Sequence, residues 1–195
     1  MTSKLAQRLK RYAQRLGLVA KDCRSRRIVV MIECLLNQNA RDDGAAVSPA
    51  MTEAVLELCR RYAAGIVQIP CPEMRALGFE RSRPPGVSIR QALDTEPGRA
   101  CCRQIGREIA ERLQDYRRQG YDIVAVLGGN PESPGCAVHI KENGLTEQSG
   151  VMMQELFSEL HNKGIVVSFR GMRDADPAWL AEDLAWLEAL LRKAG

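Results

Sequence analysis

The chain has 195 residues, 45% hydrophobic and 27% charged with a net charge of +4, so it is long enough to form a globular domain with a sizeable core. Its apolar runs, such as residues 28–32, are too short to span a bilayer, and its first residues lack the apolar stretch of a secretory signal. The seven irregularly spaced cysteines are not typical of a secreted disulfide framework, so we expect a cytoplasmic protein with no membrane partner.

Residues 1–26 are predicted to form a basic amphipathic helix and a linker, ahead of a single α/β domain over 27–195. Nine Lys or Arg residues stand against one acid in residues 1–27. Apolar residues recur there at helical spacing, at Leu5, Leu9, Tyr12 and Leu16. The pattern favours a helix that docks on the domain and leaves its basic face in solvent. A basic stripe also attracts phosphates, so contact with nucleic acid through this helix stays open.

Beyond residue 27, predicted strands alternate with predicted helices. The strands are 27–36, 66–70, 121–127 and 165–169. The first of the helices begins at Ser48-Pro49, the next two cover 99–118 and 150–162, and the last begins at residue 177. Residues 74–98 are predicted to be irregular, and Asn143-Gly144 to form the turn of a short hairpin. This alternation predicts a three-layer, flavodoxin/Rossmann-like open parallel sheet of about four strands, in the order 2-1-3-4, with flanking helices.

Three cysteines, Cys34, Cys71 and Cys136, each stand near or just beyond the carboxyl end of a predicted strand. The carboxyl ends of parallel strands open onto one crevice, so these thiols can meet in space. Thiolate selects iron–sulfur clusters, zinc or copper(I), although a buried cysteine is also a common small hydrophobic residue. Three thiols without an obvious fourth suit a cluster with one open iron. His139 could instead complete a zinc site with them.

Other polar residues share the predicted loops. Glu73 could act as a general acid or base if burial raised its pKa, although acids are also common in a first helical turn. Ser133 lies three residues before Cys136 and could polarise a substrate or transfer a proton. The remaining candidate substrate contacts are Asn39, Arg41 and Asp43 in the first loop, and Arg170 at the end of the fourth strand.

Three segments together resemble the three signature loops of the thiouracil desulfidase family: Glu-Cys-Leu-Leu-Asn-Gln-Asn-Ala-Arg-Asp-Asp-Gly at 33–44, Cys-Pro-Glu at 71–73 and Ser-Pro-Gly-Cys at 133–136. The resemblance covers residues 27–170. It implies a [4Fe–4S] cluster on Cys34, Cys71 and Cys136, whose fourth iron accepts sulfur from a thiolated substrate. By position, Ser133 matches the family's active-site serine and Glu73 its Cys-Pro-Glu glutamate. The polar positions of the family's first loop correspond to Asn39, Arg41 and Asp43.

The chain departs from the family pattern around the expected pocket. Asn37 stands where a small residue is usual, Asp42 replaces a tyrosine, and Gly135 replaces a serine. These departures indicate a divergent branch. We therefore predict an iron–sulfur-dependent desulfidase that removes sulfur, as sulfide, from a small thiocarbonyl compound such as a thiolated nucleobase. Two alternatives stay open: a zinc-stabilised binding module, for RNA among other partners, and a cluster-based sulfur-transfer or redox protein.

Overall fold

A computed structural model describes residues 2–19, 22–142 and 144–193. Its main sheet is parallel, in the order β2-β1-β3-β6. The strands are β1 (Arg27–Ile32), β2 (Gly65–Ile69), β3 (Asp122–Gly128) and β6 (Ser168–Gly171). A separate antiparallel pair consists of β4 (Ile140–Lys141) and β5 (Gly144–Leu145). The predicted α/β fold and its strand order are confirmed, while Asn143 of the predicted hairpin turn lies outside the described residues.

Helices cover both faces of this sheet. In chain order, the helices of the described residues are α1 (Thr2–Arg15), α2 (Glu33–Leu36), α3 (Glu53–Arg61), α4 (Pro72–Leu77), α5 (Ile89–Asp94), α6 (Glu96–Arg118), α7 (Val151–Asn162) and α8 (Pro177–Lys193). Helices α6 and α7 pack on each other over one face, and α3 and α8 pack over the other. In the ranges that the structure describes, no helix is both long enough and apolar enough to cross a membrane.

Strand β1 forms the centre of the core because residues 28–32 are all apolar and all buried. A strand with apolar residues on both faces must be covered on both, which a three-layer arrangement provides. Val30 pairs with Val67 of β2 on one side and with Val126 of β3 on the other. The sheet therefore places the carboxyl ends of β1, β2 and β3 side by side.

Several predicted boundaries are wrong in ways that bear on the site. Strand β1 ends at Ile32, because residues 33–36 turn into the short helix α2. Cys34 therefore lies in a helix rather than at a strand end. Helix α3 begins at Glu53, not at Ser48, whose hydroxyl donates to the carbonyl of Met51 in a preceding turn.

The segment 74–98 is more regular than predicted. Helix α4 covers residues that follow Cys71 directly, and α5 starts at a capping box in which Ser88 and Gln91 exchange hydrogen bonds. Helix α6 begins at Glu96, capped by Thr95, rather than at residue 99. The fourth strand of the sheet covers 168–171 instead of 165–169, and Val166 before it is 96% exposed.

Helix α1 forms where the sequence predicts it, but its apolar stripe does not dock on the domain. Leu5, Leu9, Tyr12 and Leu16 are between 56% and 64% exposed. The opposite face carries Lys10 and Arg11, which border a cavity of about 920 Å³ between α1, the linker and the end of α6. The prediction of a docked apolar stripe is therefore wrong, because these four side chains lie mostly in solvent.

Candidate metal centre

Three thiols from three loops lie together at the carboxyl-terminal edge of the sheet. Cys34 follows β1, Cys71 follows β2, and Cys136 lies in the loop after β3. Burial raises the pKa of all three, that of Cys34 to about 11. Cys71 adds to the rise in the pKa of Cys34, and both Cys34 and Cys71 add to the rise at Cys136. Cys136 is buried, whereas Cys34 and Cys71 are partly exposed. The structure thus brings together the three cysteines that the sequence singled out.

Specific contacts fix these loops to one another. The Oε2 atom of Glu33 accepts a hydrogen bond of 2.8 Å from the backbone N–H of Cys71, which joins the first loop to the second. An added Cβ on Gly135 would lie 2.6 Å from Cγ of Pro72, so the third loop packs on the second through a glycine. Gly135, a departure from the family pattern, is therefore required by this close approach.

A second glycine makes room for the third thiol. A Cβ on Gly129 would lie 2.6 Å from Oγ of Ser133 and 2.8 Å from Sγ of Cys136. Contacts this short do not occur at real Cβ atoms, so any side chain at this position would displace the serine or the thiol. The sequence pattern Gly128-Gly129-Asn130 thus serves close packing beside Cys136.

Arg41 is held against the first thiol by a buried carboxylate. Its Nη2 atom lies 2.5 Å from Oδ2 of Asp174, and its guanidinium is within hydrogen-bonding reach of the Cys34 thiol, whose pKa it lowers against the effect of burial. Oδ2 of Asp174 also accepts from Thr52 and from Gln38, at 3.1 and 3.3 Å. Oδ1 is buried without a hydrogen-bond partner. The guanidinium group of Arg41 is therefore engaged by other residues of the protein, Asp174 and Cys34.

Glu73 lies in the first turn of α4, with its carboxyl group directed towards the third loop. Its side chain is 13% exposed, and burial raises its pKa. The guanidinium of Arg81 and a hydrogen bond from the backbone N–H of Gly135 oppose this rise. A largely buried carboxylate with a raised pKa beside the thiols is suited to accept a proton.

Ser133 lies between Asn130 and the third thiol. Its hydroxyl group is 3.2 Å from Oδ1 of Asn130 and within hydrogen-bonding reach of Cys136, whose pKa it lowers against the effect of burial. A hydroxyl has one proton, so it can donate to only one of these acceptors at a time. Ser133 can therefore exchange partners beside Cys136.

The donor set consists of soft thiols, which select iron–sulfur clusters, zinc or copper(I). Among the described residues, no three His, Cys, Asp or Glu side chains converge closely enough to hold one metal ion. Soft thiol donors and the adjacent guanidinium of Arg41, which offsets thiolate charge, fit a [4Fe–4S] cluster.

His139 is engaged elsewhere. Its Nε2 atom lies 2.8 Å from the carbonyl oxygen of Pro131, and its ring lines a second cavity. That cavity also includes Arg170, which forms an ion pair of 2.7 Å with the fully buried Asp183 of α8. Both side chains thus have partners outside the group of thiols.

The other predicted substrate contacts lie on the first loop and face solvent. Asn39 donates from Nδ2 to Oδ1 of Asn37 at 2.9 Å. Asp43 is exposed. Asp42, also exposed, is near enough to Glu73 to add to the rise in the pKa of that carboxyl. These residues form an acidic rim at the first loop.

Sequence reasoning missed four residues of this site: Glu33, Gly129, Arg81 and Asp174. Glu33 belongs to the first signature segment and Gly129 to the pair Gly128-Gly129, so a sequence signal existed for both. Asp174 is separated from Arg41 by 133 residues, and no local pattern marks it.

Comparison with known proteins gives no function. The chain is 26% identical over 144 residues to the uncharacterized protein MJ0003 of Methanocaldococcus jannaschii, a match that covers 74% of this chain and 84% of that protein. No protein-family model matches the chain, and no solved structure matches it. Function is therefore inferred from the geometry of the site and from the resemblance of its three loops.

Proposed function

We propose that the protein is an iron–sulfur-dependent desulfidase of the thiouracil desulfidase type, acting on a small thiocarbonyl compound such as a thiolated nucleobase. The observation that carries the proposal is the meeting of Cys34, Cys71 and Cys136 at one edge of the sheet, beside Glu73 and Ser133. The three thiols would hold a [4Fe–4S] cluster. When bound, such a cluster supplies an open iron that accepts the thiocarbonyl sulfur as a Lewis acid.

Glu73 supplies the base for hydrolysis. Its buried carboxylate takes a proton from a water molecule as the water oxygen attacks the thiocarbonyl carbon. The carbon–sulfur bond then breaks, sulfur departs as sulfide, and the oxygen remains as a carbonyl. Electrons balance without an oxidant or a reductant, because the net change is the hydrolysis of C=S to C=O and hydrogen sulfide.

Ser133 orients the substrate and moves a proton. Its hydroxyl can turn between Asn130 and Cys136, since both acceptors are within reach. Proton transfer by a positioned side chain contributes about 10²–10⁴-fold to a rate. Ser133 is therefore the proposed donor to the departing sulfur.

We assign substrate contact to the exposed first-loop residues Asn39 and Asp43. Arg41 contributes indirectly, since its guanidinium is committed to Asp174 and Cys34. Arg170 would reach the substrate only by leaving Asp183. The proposal includes a reducing, cytoplasmic setting that keeps the thiols free, and a substrate that is a small molecule rather than a membrane or a nucleic acid.

The test is sulfide release from a panel of thiolated pyrimidines and thioamides by anaerobically reconstituted protein, with the corresponding oxo compounds as blanks. We expect release by the wild type and loss in Glu73→Gln at unchanged iron content. Glu80→Gln, a substitution at an exposed acid, is the control. Iron-loaded protein that releases no sulfide from any small molecule, but passes sulfur to a protein acceptor, would support the sulfur-transfer alternative instead.

A further inference from the structure

Arg81 has a backbone conformation that its residue type does not favour. Its φ angle is 50°, in the left-handed region that glycine occupies readily and other residues rarely. Such conformations cost free energy and persist where the surrounding structure enforces them, often at functional sites. A glycine would hold this turn without strain, so the turn alone does not account for the arginine.

The side chain of Arg81 is almost completely buried. Only 2% of it is exposed, and its two terminal nitrogens donate to the carbonyl oxygens of Phe79 and Ala40. The bond to Ala40 ties the segment after α4 to the first thiol loop. Nε, by contrast, is buried and has no hydrogen-bond partner. An unpaired buried donor is costly, so this one calls for a functional explanation.

The carboxylate that faces this unpaired donor is Glu73. Its Oε2 atom lies 3.8 Å from Nε of Arg81, close enough for an ion pair but too far for a hydrogen bond. If the Glu73 carboxylate moved about 1 Å towards Nε of Arg81, the two atoms would be at hydrogen-bonding distance. Hydrogen bonds at catalytic groups are often long without substrate and shorten when it binds.

We propose that Arg81 is the positioning residue for Glu73. Its guanidinium is anchored on two carbonyl oxygens, so Nε stays in one place and fixes the direction of the Glu73 carboxylate beside the thiols. The bond to Ala40 adds a fixed spacing between the first loop and the loop that carries Glu73. This inference rests on the proposed function, in which Glu73 must point at the attacked carbon.

Replacement by glycine separates the side chain from the turn. Arg81→Gly keeps the backbone conformation and removes the guanidinium, while Arg81→Lys keeps the charge and loses the planar geometry. We expect Arg81→Gly to retain its iron and to lose about 10²-fold in kcat, the cost of misplacing a group by about 1 Å, with KM nearly unchanged. Arg81→Lys should be intermediate. Arg75→Ala on the exposed side of α4 is the control and should behave as wild type.

Chemical rescue provides a readout that a purely structural role would not give. Millimolar guanidinium should restore part of kcat in Arg81→Gly and none in Glu73→Gln. Urea, which has a similar shape and no charge, should restore neither. Wild-type kcat in Arg81→Gly, or equal rescue by urea and guanidinium, would overturn the inference.

A second measurement on the iron-free protein distinguishes failure of this inference from failure of the proposed function. Urea midpoints are compared for Arg81→Gly, Glu73→Gln and the double variant. If the two side chains interact, Arg81→Gly should shift the midpoint less in the Glu73→Gln background than in wild type. Additive shifts would contradict the pairing. Non-additive shifts in a protein that never releases sulfide would support the pairing while removing the proposed reaction.

Discussion

The Oε2 atom of Glu33 accepts a 2.8 Å hydrogen bond from the backbone N–H of Cys71. The residue before the first thiol therefore holds the second thiol, across an interval of 38 residues. Cys71 itself precedes helix α4, which carries Glu73, so one carboxylate orders both a proposed cluster ligand and the start of the helix of the proposed base. A site in which the loops hold each other is suited to binding a rigid cluster, because little has to be reorganised on loading.

Ser133→Ala should separate metal binding from turnover. The variant keeps all three thiols, so iron content should equal that of wild type, while sulfide release should fall by about 10²–10⁴-fold through loss of proton transfer. Ser48→Ala, at a turn far along the first loop, is the control and should keep full activity. Normal turnover by Ser133→Ala would remove the serine from the mechanism.

Gly129→Ala should damage the third thiol loop. The added methyl would overlap Oγ of Ser133 and Sγ of Cys136, at 2.6 and 2.8 Å, and relieving such overlap typically costs about 1–3 kcal/mol. We expect a lower urea midpoint and reduced iron retention. Gly65→Ala in β2, where the nearest atom would be 3.5 Å away, is the matched control and should lose far less. Equal effects of the two substitutions would contradict the packing argument.

The sequence was enough to predict that the three thiols lie close together. Strand order and the position of each cysteine after a strand bring them to the same edge of the sheet. It predicted Arg41 and Arg170 less well, because the partner of each arginine decides its role. Asp174 and Asp183 occupy these two guanidinium groups, and neither acid lies in a recognisable motif. Arg81 was passed over as a loop residue, since left-handed backbone conformation at an arginine has no sequence signal.

The start of helix α3 also depends on a long-range contact that has no local sequence signal. Thr52, rather than Ser48, precedes α3, and its hydroxyl donates to Asp174 instead of capping the helix. A local capping rule favours Ser48-Pro49, whereas a contact over 122 residues decides the outcome. The capping box of Ser88 and Gln91, in contrast, was present in the sequence and marks α5.

The stability of the domain should depend on Asp183 at low pH. Burial alone would raise the pKa of this carboxyl, but hydrogen bonds from Arg173 and Arg170 outweigh burial and hold its pKa below the usual value. The contribution of Asp183 to the free energy of unfolding is therefore complete above the unfolded-state pKa of about 4. It is lost as the pH falls through the lowered folded-state pKa. A hydrogen bond to a charged group typically contributes about 1.5–3 kcal/mol to stability, so we expect a contribution of that size.

Urea midpoints measured from about pH 6 to about pH 3 would check this dependence. Asp183→Asn should lower the urea midpoint at the upper end of this pH range. It should also make the midpoint decline less steeply towards the lower end of the range. Asp115→Asn, a substitution at an exposed acid of α6, should leave the curve as in wild type. A decline that is equally steep in Asp183→Asn would assign the acid sensitivity to other carboxyl groups.

Removal of residues 1–21 should leave the domain intact. The apolar stripe of α1 is more than half exposed and adds nothing to the core, so the urea midpoint and the iron content should not change. If the helix contacts nucleic acid through its basic face, salt-sensitive binding of a fluorescent RNA should disappear with it. Unchanged RNA binding after truncation would place any such surface elsewhere on the protein.

The most direct test of the central claim is the content of iron and acid-labile sulfide per chain after anaerobic reconstitution. We expect ~4 of each, lost when any one of Cys34, Cys71 or Cys136 is replaced by alanine and retained in Cys101→Ala. Cys101 lies on α6, away from the three loops, and serves as the control. Zinc in place of iron, or iron binding that survives Cys136→Ala, would contradict the account.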